Sequence, residues 1–398
     1  MKRRDLLLGT GALLGASSLA PAFARTPLRQ RQETAPPRLV LIDLVGGNDG
    51  LNTVVPHGDD AYYRARPTIG LRGEDVVEID DYFGVHASLE GLARRVVEGR
   101  AGIIHGIGYP TPNLSHFKSR DVWDTARLEG RNSGPGWVGR LAADLHPGEP
   151  HPDRLIHVGK SLPYAMFSAE QPAVAFAATR DYRFVKRGNT LERVSEMDEQ
   201  SSSRLEFLRG VMQDAKASSA AVRRAVEDHR PTVEYPNSEL GRSLGMLAAL
   251  IASPVQCEVL SVDHGGFDTH DNQLNRQRQA LSALDAALEP FLTELASLPQ
   301  AARTLVVITS EFGRRVAENG SGGTDHGTAA PAFVCGPAAR GGQFGKACDL
   351  EDLDDRENLK FTTDFRRLWA TAVGGLFGAE VRAVLGDRYT QLPLLTRA

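Results

Sequence analysis

Thr304-Leu305-Val306-Val307-Ile308-Thr309 is an apolar, β-branched run without polar alternation, and it breaks at once into Ser310-Glu311-Phe312-Gly313-Arg314. A strand with one wet face alternates, whereas a strand without alternation is covered on both faces, as in a parallel sheet. Just upstream, Leu281, Leu284, Leu288, Phe291, Leu295 and Leu298 recur at steps of three and four, which predicts an amphipathic helix over 272–298. Pro290 should kink that helix or remove one of its hydrogen bonds. Helix, buried strand and polar loop in succession make one crossover unit of an α/β sheet. The strand signature recurs at Leu39-Val40-Leu41-Ile42, at Ala101-Gly102-Ile103-Ile104, over 258–263 and at Ala332-Phe333-Val334-Cys335. Residues 115–129 read as a helix with Phe117, Trp123 and Ala126 on one face. The polar, Ser-rich and charged stretch 195–230 is expected to form an exposed helical cap.

Composition removes several classes. The chain has 398 residues, 41% hydrophobic and 24% charged, with three cysteines and a formal net charge of -4. Disorder needs lower hydrophobicity and more net charge, a disulfide scaffold needs more cysteine, and a nucleic-acid partner needs a basic footprint. Met1-Lys2-Arg3-Arg4-Asp5 followed by a small-residue apolar run and Ala22-Phe23-Ala24 is the pattern of an export signal, and the Arg3-Arg4 pair resembles a twin-arginine signal. Cleavage after Ala24 takes Lys+Arg from 46 to 43 and Asp+Glu from 50 to 49, a mature charge of -6. The expectation is a bacterial periplasmic or secreted protein that engages the twin-arginine translocase during export and keeps no stable membrane anchor. Residues 25–37 read as a linker and 38–398 as a single α/β domain with a helical insertion over 195–250.

Ligands of open α/β sheets bind beyond the carboxyl ends of the strands. Four polar segments fall there or beside a strand: Gly46-Gly47-Asn48-Asp49-Gly50, Asp263-His264 through Asp268-Thr269-His270, Ser310-Glu311-Phe312-Gly313-Arg314, and Gly323-Thr324-Asp325-His326-Gly327. Carboxylate with imidazole is a ligand set for a divalent metal without thiolate. The candidate ligands are Asp49, Asp268, His270, Glu311, Asp325 and His326, with zinc as the first expectation and manganese, iron or calcium as others. Asp263 competes with Asp268 for one ligand place. Ser115 stands at a helix start, where free N–H groups and the helix dipole favour an anion. Gly241-Arg242-Ser243-Leu244-Gly245 matches the G-x-S-x-G spacing of a serine esterase but lacks the buried strand that motif requires.

GGNDGLNTVVP at 46–56, SHFKSRDVW at 115–123, GFDTHDNQ at 266–273, SEFGR at 310–314 and GTDHGTAAP at 323–331 together resemble the DUF1501 family. That family looks like a branch of the alkaline phosphatase-like and sulfatase-like superfamily. The resemblance implies a three-layer fold, a mostly parallel sheet between helices, with a metal site at the carboxyl strand ends. It also implies Asp49 as a ligand after the first strand and Ser115 as nucleophile. Asp268 with His270 would hold another metal, at a shorter spacing than the superfamily's pair, Glu311 stands where an Asp is usual, and His326 is the final histidine. Phe312 occupies the place of a usual histidine ligand, which favours a one-metal site.

The implied function is an exported metal-dependent hydrolase of phosphate or sulfate esters, acting on a small or polymeric ester through Ser115. Arg314, with His116 or Asn52, would neutralise charge on the non-bridging oxygens. The alternatives are a non-catalytic metal-binding exported protein of the same fold, and a serine esterase using Ser243.

Overall fold

The computed structural model describes residues 35–179 and 217–396. The export signal, residues 25–34 of the linker and residues 195–216 of the expected insertion lie outside them. In chain order the strands are β1 (Arg38–Leu44), β2 (Val54–Val55), β3 (Val76–Glu78), β4 (Gly84–His86), β5 (Gly102–Gly108), β6 (Leu155–Val158), β7 (Val174–Phe176), β8 (Val259–His264), β9 (Thr304–Thr309), β10 (Ala330–Cys335), β11 (Gly342–Phe344) and β12 (Thr363–Asp364). The central sheet runs β11-β5-β10-β9-β1-β8-β6-β7, with β12 also on β5, while β2, β4 and β3 form a small separate sheet.

Every pairing in the central sheet is parallel except the two made by β10. Both faces of its inner strands are covered, as their unbroken apolar runs require. On β1, Val40, Ile42 and Leu44 join one core with Leu260, Val306, Leu284, Leu288 and Leu247, whereas Leu39 and Leu41 join the other with Val307, Trp123, Trp137 and Trp369. The first core is closed by the helices Glu239–Ala252 and Gln273–Ser297, the second by His116–Thr125, Trp137–Leu145 and Phe365–Ala370. The result is the expected three-layer α/β fold with a mostly parallel sheet between helices.

Three local differences have physical causes. Gln273–Ser297 is one helix that includes Pro290, because Leu281, Leu284, Leu288, Phe291 and Leu295 bury one continuous face on both sides of the proline. His116–Thr125 ends four residues early, where Ala126 takes φ 54° and its N–H turns back to Trp123 O. Within the stretch expected to be an insertion, Glu239–Ala252 is instead a core helix with Leu240, Leu244, Leu247 and Ile251 buried. Ser243 lies inside this helix and is buried, so Gly241 to Gly245 forms no strand-to-helix elbow.

The direction of β10 matters most for the site. Because it runs against its neighbours, its amino end meets their carboxyl ends, and the loop that precedes it arrives at the same edge as the loops that follow β1, β8 and β9. Gly313 N donates to Thr328 O at 3.0 Å, Gly327 N to Gly313 O at 2.8 Å and Arg315 N to Asp325 O at 3.0 Å, which zips the 310–315 and 325–328 loops together.

Candidate metal centre

Three imidazoles and one carboxylate meet at this edge. His116 opens the helix His116–Thr125, Asp268 and His270 follow β8, and His326 precedes β10. One ligand atom each from His116, Asp268 and His326 lies within 4.8 Å of the others. His270 Nε2 is 3.2 Å from Asp268 Oδ1 and 3.0 Å from His326 Nε2. His326 Nε2 is 3.3 Å from Asp268 Oδ1, and His116 Nε2 is 3.7 Å from Asp268 Oδ2.

Each ring is aimed by its other nitrogen. His326 Nδ1 donates to Leu114 O at 2.7 Å, His116 Nδ1 to Glu311 Oε1 at 2.8 Å, and His270 Nδ1 faces Asp325 Oδ1 at 3.4 Å. An N–H on Nδ1 leaves the lone pair of a neutral imidazole on Nε2, the arrangement that metal-ligating histidines use. Two observations then fit a cation. The Nε2 atoms of His270 and His326 face each other at 3.0 Å, close enough for both to hold one ion, and His116 Nε2 is buried with no hydrogen-bond partner. Nitrogen with one carboxylate is a zinc-like donor set.

The electrostatics agree with this geometry. Burial alone would raise the Asp268 pKa, but the hydrogen bond and the charge of Arg314 hold it down to about 2. Burial likewise opposes ionisation of Glu311, and the hydrogen bond from His116 with those of nearby backbone N–H groups keeps it below its ordinary range. The hydrogen bond to Glu311 raises His116 against the pull of burial, and burial lowers His326. Asn319, and then His270, hold Asp325 low. Phe312 is the floor, its ring 4.8 Å from that of His116 and 4.7 Å from that of His326.

Of the six residues expected as ligands, the structure brings Asp268, His270 and His326 to the centre. Glu311 and Asp325 stand one step out, holding His116 and His270. Asp49 is elsewhere: its side chain is fully buried, paired with Arg66 at 2.6 and 3.0 Å, and accepts from Leu51 N at 3.1 Å. A carboxylate so fully committed inside the fold has no oxygen to offer an ion at the edge. Asn52 belongs to the same interior group, accepting from Tyr62 and Arg66 at 2.8 and 2.6 Å. Asp263 turns toward Arg120 at 3.6 Å, beside Asp43 at 3.2 Å from the same guanidinium, and burial next to Asp43 pushes its pKa up to about 6.

Arg314 also departs from its expected role. It is buried and spends its three guanidinium nitrogens on Gly47 O, Thr324 O, Gly46 O, Phe267 O and Asp268 Oδ1. It orients Asp268 and ties three loops together, and its side chain is closed off from solvent. Gly46, at φ +123°, makes this possible: a Cβ there would sit 2.4 Å from Asp268 N. Ser115 is the N-cap of its helix, but its hydroxyl makes no capping bond, and Asn113 Oδ1 instead accepts from Ser115 N at 3.0 Å.

His116 is the member of this cluster that the sequence reading did not count as a candidate ligand. Its only signal was adjacency to Ser115 on the first turn of a helix that opens beside the sheet edge.

No curated protein sequence matches this chain. Among solved structures, it is similar to Ps i-CgsB in complex with k-i-k-neocarrahexaose, at 10% identity over 89% of this chain and 75% of that one, TM-score 0.44. It is also similar to the PsFucS1 sulfatase from Pseudoalteromonas sp., at 10% identity over 86% and 68%, TM-score 0.40. A third is the C-terminal periplasmic domain of EcEptC from Escherichia coli in complex with Zn, at 8% identity over 75% and 72%, TM-score 0.37. The family described as "Protein of unknown function (DUF1501)" matches residues 100–380, a span that contains all four residues of the centre, and the chain belongs to that family.

Proposed function

We propose that this protein is a metal-dependent hydrolase of phosphate or sulfate esters, with His116, Asp268, His270 and His326 as metal ligands and Ser115 as nucleophile. The observation that carries the reading is the convergence of three Nε2 atoms on one carboxylate, one of them buried without a partner. Three nitrogens and one oxygen suit zinc, with manganese or iron as other occupants, whereas calcium prefers an all-oxygen shell. Such an ion, when bound, polarises an ester oxygen and stabilises a serine alkoxide.

Ser115 stands between Leu114, whose carbonyl holds His326, and His116 itself. Its uncapped hydroxyl lies at the amino end of a ten-residue helix, where the dipole favours the anionic form. In the proposed reaction Ser115 gives its hydroxyl proton to solvent, its Oγ bonds to phosphorus or sulfur as the P–O or S–O ester bond breaks, and the leaving oxygen takes a proton from solvent at the open rim. Water then cleaves the seryl ester, releasing phosphate or sulfate and restoring the hydroxyl. Glu311 and Asp325 hold their imidazoles in the tautomer that presents Nε2, and Phe312 keeps water from beneath them. In this reading the protein is exported through its twin-arginine signal, acts outside the cytoplasm, and belongs with the alkaline phosphatase-like hydrolases.

The test is metal content together with hydrolysis of p-nitrophenyl phosphate and p-nitrophenyl sulfate, with and without EDTA. A bound ion and chelator-sensitive, zinc-restored turnover are expected, and Ser115→Ala should abolish turnover while retaining the ion. Protein that takes up no zinc would sink the proposal. A second reading, a metal-holding protein without turnover, is favoured by the commitment of Arg314 to the protein. It predicts that both esters go unhydrolysed by fully loaded protein.

A further inference from the structure

Gln273 begins the long helix after β8, and its side chain is fully buried. Its Oε1 accepts from Thr269 Oγ1 at 3.1 Å and from Thr324 Oγ1 at 2.6 Å. These two hydroxyls belong to the two loops that carry ligands: Thr269 lies between Asp268 and His270, and Thr324 lies two residues before His326. Both threonines are buried.

The amide cannot turn over. Its Nε2 donates to Asp49 Oδ2, and a carboxylate accepts but does not donate, so the NH2 must face Asp49 and the carbonyl must face the hydroxyls. Asp49 is in turn held by Arg66, whose guanidinium also donates to Val316 O and Arg315 O at 2.8 and 2.9 Å. Backbone bonds run beside the clamp, Thr324 N to Thr269 O at 3.3 Å and Gln273 N to Gly322 O at 3.0 Å.

A buried glutamine always needs partners. What sets this one apart is that one oxygen takes a hydroxyl from each ligand loop while the other end is anchored to a buried ion pair. We propose that Gln273 is a positioning residue: its amide locks the Asp268–His270 loop against the Thr324–His326 loop, and the Asp49–Arg66 pair locks the amide. The consequence for metal affinity rests on the metal-centre reading, and the lock itself does not.

Two single variants test it. Gln273→Glu keeps both hydroxyl acceptances but sets a second carboxylate against Asp49, and Gln273→Ala removes the clamp altogether. Cobalt(II) affinity, read by the visible absorption of the bound ion, is expected to fall about 10–100-fold in both. In metal-free protein, amide hydrogen exchange over 269–270 and 324–326 should speed up in both variants and stay unchanged on β1. Wild-type exchange over those loops in folded Q273A, or exchange that rises on β1 as much as on the loops, would overturn the proposal. If wild-type protein binds no cobalt, the metal reading fails while the exchange data still decide on the lock.

Discussion

Asp49 is enclosed by Arg66, Gln273 and the Leu51 N–H, whereas the Asp268 side chain is 51% exposed beside three imidazoles, and their replacements should fail differently. Asp49→Ala leaves a buried guanidinium without its counter-charge and is expected to cost about 3–5 kcal/mol of stability. Asp268→Ala takes the carboxylate from buried Arg314 but leaves that guanidinium its backbone carbonyl acceptors, so it should cost less stability than Asp49→Ala, and it should remove the metal. Urea denaturation and metal analysis of the two variants check this pair. Glu311 holds the His116 ring by hydrogen bond, so Glu311→Gln is expected to weaken zinc about 10–100-fold in a competition titration. The loss comes from a less basic ring rather than a missing ligand, and His116→Ala should therefore be the more severe of the two.

The helix His116–Thr125 carries His116, Arg120 and Asp124 at steps of four, on one face toward the sheet edge. Arg120 reaches Asp43 and Asp263, and burial pushes Asp124 up to about 7 despite Arg120. This spacing puts a candidate metal ligand and the neutraliser of an acidic strand-end pair on the same element. A different element contributes to acid stability. His86 ends β4 and caps the turn Ala87–Leu89, its Nδ1 accepting from Ser88 N at 3.0 Å, and burial holds its pKa down to about 4 against an ordinary 6.5. The unfolded chain therefore takes up this proton first as pH falls. The stability His86 supports is intact above about 6.5 and drains as pH drops toward 4, at up to about 1.4 kcal/mol per pH unit. His86→Asn keeps a capping acceptor without the titration, so its denaturation midpoints over pH 4–7 should fall less steeply than those of the wild type. Equal slopes would exclude His86 as the group responsible.

At the scale of the molecule, the centre joins loops from β1, β5, β8, β9 and the approach to β10, so a bound ion should stabilise the whole fold. Free zinc at a hundred times its dissociation constant adds about 2.7 kcal/mol, and EDTA is expected to lower the melting temperature by a few degrees. A melting point unchanged by either treatment would contradict a folded-state site.

The strands β1, β8 and β9, the helix Gln273–Ser297 and the α/β class were legible in the chain, because burial on both faces or on one stripe writes itself into apolar spacing. Asp268, His270 and His326 stood out in the chain as polar residues beside strands, and the structure brings the three together. The direction of β10 was not legible, because the pattern of an apolar run is the same read forward or backward, yet that direction delivers His326 to the edge. Nor was the division of labour among the acids. Asp49 pairs with Arg66 and Asp263 with Arg120, through partners whose spacing has no period to betray them. Which residues are apolar determined the layers. Which carboxylate meets the imidazoles and which is enclosed away from them was decided only when the loops met, because that choice depends on distances of a few ångströms between segments far apart in the chain.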